Sequence, residues 1–360
     1  MIEAYAVFLV FGLGFVLSVC VIGVLIPIAI RVDLVDAPSA RKRHKGEVPL
    51  VGGLAIFASL APLSLVLPFW QAQAGNWLIL LGVPLLLVGI ADDRWQISVR
   101  MRFAVEICCA LVAARYCGIR IDDLGHLLPN VGGILVLLAI PLSVVGMVGV
   151  INAINMTDGV DGLAGGVAAL TFATLAYLAY PVNHSVALQL VSLLAAIMGF
   201  LVFNSRFFGR KRAAVFLGDG GSIFIGFALA WYLIMLSQGD HAAIRPASAL
   251  WLIAVPLLDT MTIMVRRIRH GRSPFSADRE HFHHILLLAG FSAKQTTVII
   301  LSFHFLCILC GVASIGLKAP DWIIFWLFVG VFAIYFVGMN HAWKVMKKLQ
   351  SNCEPRRFAA

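Results

Sequence analysis

The stretch ILVLLAIPLSVVGMVGVINAINMTDGVDGLAGG, residues 134–166, decides the fold. Residues 134–151 carry no charge and are close to the ~20 apolar residues that a helix needs to cross a bilayer. The chain then passes directly into Asn152, Asn155, Asp158 and Asp161, with glycines at 159, 162, 165 and 166 and no Lys or Arg. A membrane helix that ends in oxygen-bearing side chains places a polar site at the mouth of an apolar bundle.

Similar apolar runs fall at about 5–30, 50–70, 76–91, 103–117, 163–180, 185–203, 221–237, 247–265, 296–316 and 322–341, giving eleven in all. Of 360 residues, 61% are hydrophobic and 12% charged, about half the charge of an ordinary soluble domain. The expected fold class is all-α: a polytopic integral membrane bundle of about eleven transmembrane helices, forming one membrane-embedded domain over 1–360. The first run is too long for a signal h-region and reads as a retained helix. The seven cysteines lie mostly in apolar runs and form no disulfide framework.

Charge supplies the orientation. The net charge is +9, and 23 of the 27 Lys and Arg fall on one side of an eleven-span arrangement. Cytoplasmic loops concentrate Lys and Arg, so the bilayer accounts for the basic balance better than nucleic acid does. The N-terminus is expected outside and the C-terminus in the cytoplasm. The cytoplasmic loops are then about 31–49, 92–102, 152–162, 204–220 and 266–295, followed by the tail 342–360.

Five acids, Asp92, Asp93, Asp158, Asp161 and Asp219, lie at cytoplasmic mouths of the spans. Transporters place acids near the midplane. Only Asp259 and Glu106 fall within apolar runs here, so a boundary site is favoured over a path. Paired carboxylates such as Asp92 and Asp93 perturb one another, and one can act as a base. Asp and Asn are oxygen ligands suited to Mg²⁺, and the loop glycines let backbone approach a ligand. In VFLGDGGSIFIG, 215–226, Asp219 sits among glycines at a helix start, where free amides attract phosphate. The loop 266–292 sets five Arg before His281, His283 and His284, which suits a diphosphate; a zinc site is the alternative, without HExxH or Cys partners. The first loop, DAPSARKRHKGEVPLVGG, offers Lys42 and His44 to an anionic lipid, whether substrate or bilayer.

In this order the motifs resemble the polyprenyl-phosphate N-acetylhexosamine-1-phosphate transferases: the basic first loop, the Asp-Asp pair, NxxNxxDGxDGL, VFxGDxGS and the histidine loop. The peptidoglycan branch typically carries PxHHHFE, whereas this chain has SPFSADREHFHH. The resemblance therefore points to the branch using UDP-GlcNAc. It implies transfer of N-acetylglucosamine-1-phosphate to undecaprenyl phosphate, releasing UMP, with Mg²⁺ or Mn²⁺ at a cytoplasm-facing site in the bacterial inner membrane. It also implies roles for single residues. Asp219, with Asn155, would hold metal. Asp92 would be the base, with Asp93 supporting it or binding metal. Asp158 and Asp161 would shape the nucleotide and metal site, and Phe216 would stack on uracil. His281, His283, His284 and Arg267 would hold the diphosphate, with Asn152, Lys42 and His44 completing substrate contacts. Direct attack and a covalent aspartyl-phosphate both remain open, as do another UDP-2-acetamido sugar and a homodimer.

The charge segregation predicts that a cysteine placed at His281 is labelled by an impermeant reagent only after cells are opened, while cysteines at Glu3 and Asp122 are labelled in intact cells. Labelling of position 281 from outside would overturn both the orientation and the proposed site.

Overall fold

Every apolar run of the sequence is a helix or a pair of helices. The computed structural model describes residues 2–36, 46–71, 75–125, 127, 132–207, 209–240, 242–273 and 280–353. The chain begins with α1 (Ile2–Arg31), then β1 (Val35–Asp36) paired antiparallel with β2 (Val48–Pro49). It continues through α2 (Gly52–Val66), α3 (Pro68–Gln71), α4 (Gly75–Trp95), α5 (Val99–Tyr116), α6 (Gly132–Thr157), α7 (Leu163–Ala179), α8 (His184–Asn204) and α9 (Gly218–Ser237). The last elements are α10 (Pro246–Leu252), α11 (Ala254–Arg269), α12 (Phe282–Leu288), α13 (Ala293–Gly316) and α14 (Asp321–Cys353).

Among the described residues, seven helices are long and apolar enough to cross a membrane, or eight if the bent pair α10–α11 is one span. The helices α2 and α7 are apolar but shorter, and α5 is interrupted by Arg100, Arg102, Glu106 and Arg115. The chain is thus a multi-pass helical membrane protein. Eleven crossings, and the side on which each end lies, remain expectations of the sequence.

The bundle is built around α9. The most apolar window of α9 is 94% buried, against 22% for α1 and 17% for α14, so α9 is core and the other two face outward. It packs against α2, α4, α6 and α7, while α8 packs against α1 and α7. Lipid tails are as apolar as Leu, so helices in a bilayer associate through close packing of small residues rather than by hydrophobic exclusion. The glycines of α9 do this. A Cβ on Gly53 would fall 2.0 Å from the Cα of Gly221, and one on Gly89 would fall 2.3 Å from the Cα of Gly220. The glycines of the 159–166 loop likewise admit neighbouring protein: His283 at Gly159, Ser205 at Gly162, Leu201 at Gly165 and Leu301 at Gly166. The sequence reading gave these glycines to a ligand; in the structure they seat protein atoms.

Two further features position the site. Phe216 and Leu217 continue from the small sheet: the Phe216 amide donates to Pro49, and the amides of Gly52 and Gly53 donate to Phe216 and Leu217. This ties the first loop to the start of α9. The axis also turns by 86° between α10 and α11. There the Thr171 hydroxyl lies 2.9 Å from the Leu252 carbonyl oxygen and 3.1 Å from His304 Nε2. The Thr171 hydroxyl thus serves a carbonyl at the helix break, as non-helical backbone in a membrane interior requires.

The glycine contacts predict a sharp positional contrast. Gly53→Ala should lower the thermal unfolding temperature in detergent by several degrees or abolish folding, because overpacking against backbone costs ~1–3 kcal/mol or more. Gly23→Ala, at a position with nothing within 4 Å, should unfold within a degree of the native chain. Equal melting temperatures for the two variants would refute the packing account.

Candidate active site

The end of α4 meets the start of α9. The carboxylate of Asp93 accepts the Asp219 amide N–H at 2.9 and 3.1 Å from its two oxygens. The first amides of a helix lack intrahelical partners, and the helix dipole favours an anion there. Gly218 makes the approach feasible: its φ is +75°, and a Cβ would lie 2.6 Å from Asp93 Oδ2. The amide end expected to face a phosphate is therefore already capped by Asp93.

Asp92 points into a separate network. Arg102 donates to it at 3.0 Å and lies 3.6 Å from Glu106, which is fully buried. Glu106 in turn accepts from Asn152 Nδ2 at 2.6 Å. Asn152 also donates to the Val148 carbonyl and is buried, so it braces Glu106. Asn155 donates its amide to Asp219 at 2.7 Å and to Ser222 at 2.9 Å. Asn155 thus stands directly beside the Asp219 carboxylate.

Asp219 also feels the charge of Asp92, and Asp158 feels the charges of Asp219 and Asp161. Carboxyl groups that crowd one another need a shared proton or a cation between them. Asp158 shows the same pressure: burial, then Asp219 and Asp161, push its acid up to about 7. Asp161 is neutralised, with Arg206 at 2.7 Å and the Ala213 amide at 3.1 Å. Its backbone carbonyl accepts from Thr297, and Asn204 accepts the Gly162 amide. Asp161 thus fixes the loop while Asp158 joins the acid cluster. Among the described residues, no group of three or more His, Cys, Asp or Glu already stands in coordinating geometry.

The histidine loop closes over this cluster. His283 is buried, and a Cβ on Gly159 would fall 2.2 Å from its Nε2, so the two motifs touch. Burial and the neighbouring His284 and His281 hold His283 down at about 3, and Asp259 opposes this only partly. His283 is therefore neutral at physiological pH, and its ring packs against the loop at Gly159. The ring centroid of His284 lies 4.2 Å from that of His283, and Arg267 is buried at the end of α11. Phe216 is half-buried at the junction of the first loop and α9. Lys42 and His44 lie outside the described residues.

Asp259, Glu106, Arg102 and Tyr335 belong to the site's surroundings although the sequence reading gave them no role there. Asp259 accepts from Phe282 N–H and Tyr335 O–H and lies 2.8 Å from His281 Nδ1. A lone acid in an apolar helix demands a partner, which was the available signal. The partners lie 22 and 76 residues away, beyond any local pattern. Because Asp259 and Glu106 are consumed in these networks, they do not line a transport path.

The family described as glycosyl transferase family 4 matches residues 76–237. Several undecaprenyl-phosphate alpha-N-acetylglucosaminyl 1-phosphate transferases are similar over most of their length. The Salmonella typhi protein is 36% identical over 330 residues, covering 89% of this chain and 87% of its own. The Yersinia pestis protein is 36% identical over 341 residues, covering 92% and 91%. The Escherichia coli K12 protein is 36% identical over 333 residues, covering 89% and 87%.

Asp158 sets a pH signature. Its acid lies near 3.8 when unperturbed and at about 7 in the fold. The folded state therefore favours the protonated form, and stability falls as pH rises from about 4 to about 7 and is flat beyond. In metal-free detergent solution, Asp158→Asn should be more stable than the native chain at pH 8 and similar at pH 4. An unchanged or reversed difference in melting temperature would refute this assignment.

Proposed function

The chain belongs to glycosyl transferase family 4, among the polyprenyl-phosphate N-acetylhexosamine-1-phosphate transferases, and from that membership we propose that it moves N-acetylglucosamine-1-phosphate from UDP-GlcNAc to undecaprenyl phosphate. The products are undecaprenyl-diphosphate-GlcNAc and UMP. This would be the first membrane step of an O-antigen, common-antigen or teichoic-type glycan, on the cytoplasmic face of the bacterial inner membrane. The carrying observation is the cluster of Asp92, Asp93, Asp158 and Asp219 next to the histidine loop, at the common end of apolar helices. One substrate is a lipid and the other is water-soluble, so such a boundary is where they meet. An apolar groove of about 480 Å³ beside Gly162, lined by Gly166, Met198, Leu201, Phe207 and Leu301, supports access for an isoprenoid chain.

An acceptor phosphate oxygen attacks the phosphorus that carries the sugar, and the bond from that phosphorus to the UMP oxygen breaks. Both reactants are anions, so positioning and charge neutralisation dominate such a transfer. The crowded acids fit a divalent cation, since Asp158 and Asp219 bear on one another and no guanidinium pairs with either among the described ion pairs. Asp219 and Asp158 would hold Mg²⁺, or Mn²⁺. Once bound, the ion offsets phosphate charge and polarises the phosphoryl group. Asp92 takes the proton of a singly ionised acceptor phosphate, and Arg102 holds its carboxylate in position at 3.0 Å. Asp93 holds the start of α9, and so Asp219, in place. His281, His284 and Arg267 bind the diphosphate.

Purified protein should release UMP from UDP-GlcNAc only when undecaprenyl phosphate and Mg²⁺ are both present. A panel of UDP-2-acetamido sugars tests the donor, and faster turnover of another sugar would replace GlcNAc. Variants separate the acids. Asp219→Asn should need more metal and recover in part with Mn²⁺ or excess Mg²⁺. Asp92→Asn should lose ~10²–10⁴ in rate at every metal concentration, the usual worth of a positioned base. Equal rescue of both by metal would place Asp92 with the metal and end its role as base.

A further inference from the structure

The carboxylate of Asp259 is used more fully than burial alone requires. It lies on α11, seven residues before Arg266, so the two share one face two turns apart. Both are buried. Together they grip three consecutive residues: Arg266 pairs with Glu280, while Asp259 takes the His281 ring at 2.8 Å and the Phe282 amide at 3.0 Å. Tyr335 of α14 donates to the same carboxylate from the other side at 3.0 Å, and its ring meets Phe282 edge-on, with centroids 5.8 Å apart. The entry of the histidine motif is thus clamped between α11 and α14.

We propose that Asp259 is a positioning residue for nucleotide-sugar binding, which holds the proton of His281 on Nδ1 and so presents Nε2 to the substrate phosphates. A carboxylate offers only acceptors, so the ring nitrogen facing it must carry hydrogen. The other donors fix that carboxylate's orientation. Among the described residues, the hydrogen bond of the His281 ring is the one from Nδ1 to Asp259. The charged and titratable groups around the ring are Asp259 from α11, His283 and His284 from α12 and Tyr335 from α14. Of these, only Asp259 contacts the ring through a carboxylate. Carboxylate partners of ligating histidines fix tautomer and ring orientation in the same manner, and their removal typically costs ~10–100-fold.

This inference rests on the reaction proposed above, and two measurements separate their failures. The first is the ¹⁵N spectrum of histidine-labelled full-length protein in detergent, with His281→Gln used to assign the resonance. Nδ1 of His281 should be protonated in the native chain and lose that preference in Asp259→Asn. An Nδ1 that is unprotonated in the native chain overturns the proposal whatever the reaction is. The second is a kinetic cycle with UDP-GlcNAc. Asp259→Asn should raise KM about 10-fold or more with a smaller change in kcat, and Asp259→Glu should recover part of the loss. In a His281→Gln background, Asp259→Asn should add little. Full additivity of the two substitutions, or an effect of Asp259→Asn on kcat alone, overturns the proposal. Absence of turnover by the native chain, with the tautomer as stated, overturns the proposed reaction instead.

Discussion

The site depends on how closely the start of α9 approaches α2 and α4. Three glycines at 218, 220 and 221 remove the side chains that would hold the helices apart, and the Asp93 carboxylate then settles on the first amides of α9. Each part needs the others. Without the glycines the carboxylate cannot reach the amides. Without the amides, a buried carboxylate has lost water and gained nothing. Asp219 stands on the first turn of that helix, so its distance from Asp92 and Asp158 is set by backbone contact, not by a flexible loop.

The buried charges divide into those that are balanced and those that are not. Arg102 serves Asp92 and Glu106, Arg206 serves Asp161, and Arg266 serves Glu280. Asp259 is satisfied by three donors. Asp158 and Asp219 have no guanidinium of their own among the described ion pairs, and they bear on one another. The fold thus neutralises the acids that hold loops in place and leaves positive charge wanting at one spot. That is an electrostatic distinction between scaffold and reactive groups which residue type alone does not give.

Helix placement was legible because membrane spans are long and nearly free of charge; even the α10–α11 pair appeared as one run, though its 86° turn did not. Nothing local announces that turn, where the Leu252 carbonyl is served by Thr171 on another helix. The acid motifs were also legible, since Asp beside Gly at the end of an apolar run has few other readings. Individual roles were harder to read. Asp158 and Asp161 look alike in DGVDG, yet one joins the cluster and the other pairs with Arg206, because Arg206 becomes a neighbour only through packing. His283 stands after a basic run in the sequence, and only packing against Gly159 shows how deeply its ring is buried. Lys42 and His44 fall outside the described residues.

The clamp on the histidine motif also orders the protein's assembly in time. Asp259 sits in an apolar helix, but its partners His281 and Tyr335 follow 22 and 76 residues later in the chain. During synthesis the acid must enter the membrane region before the groups that balance it exist. The segment bearing α11 therefore reaches its final seat only after most of α14 has been made. The contacts that clamp the histidine motif thus need residues made long after α1 to α9.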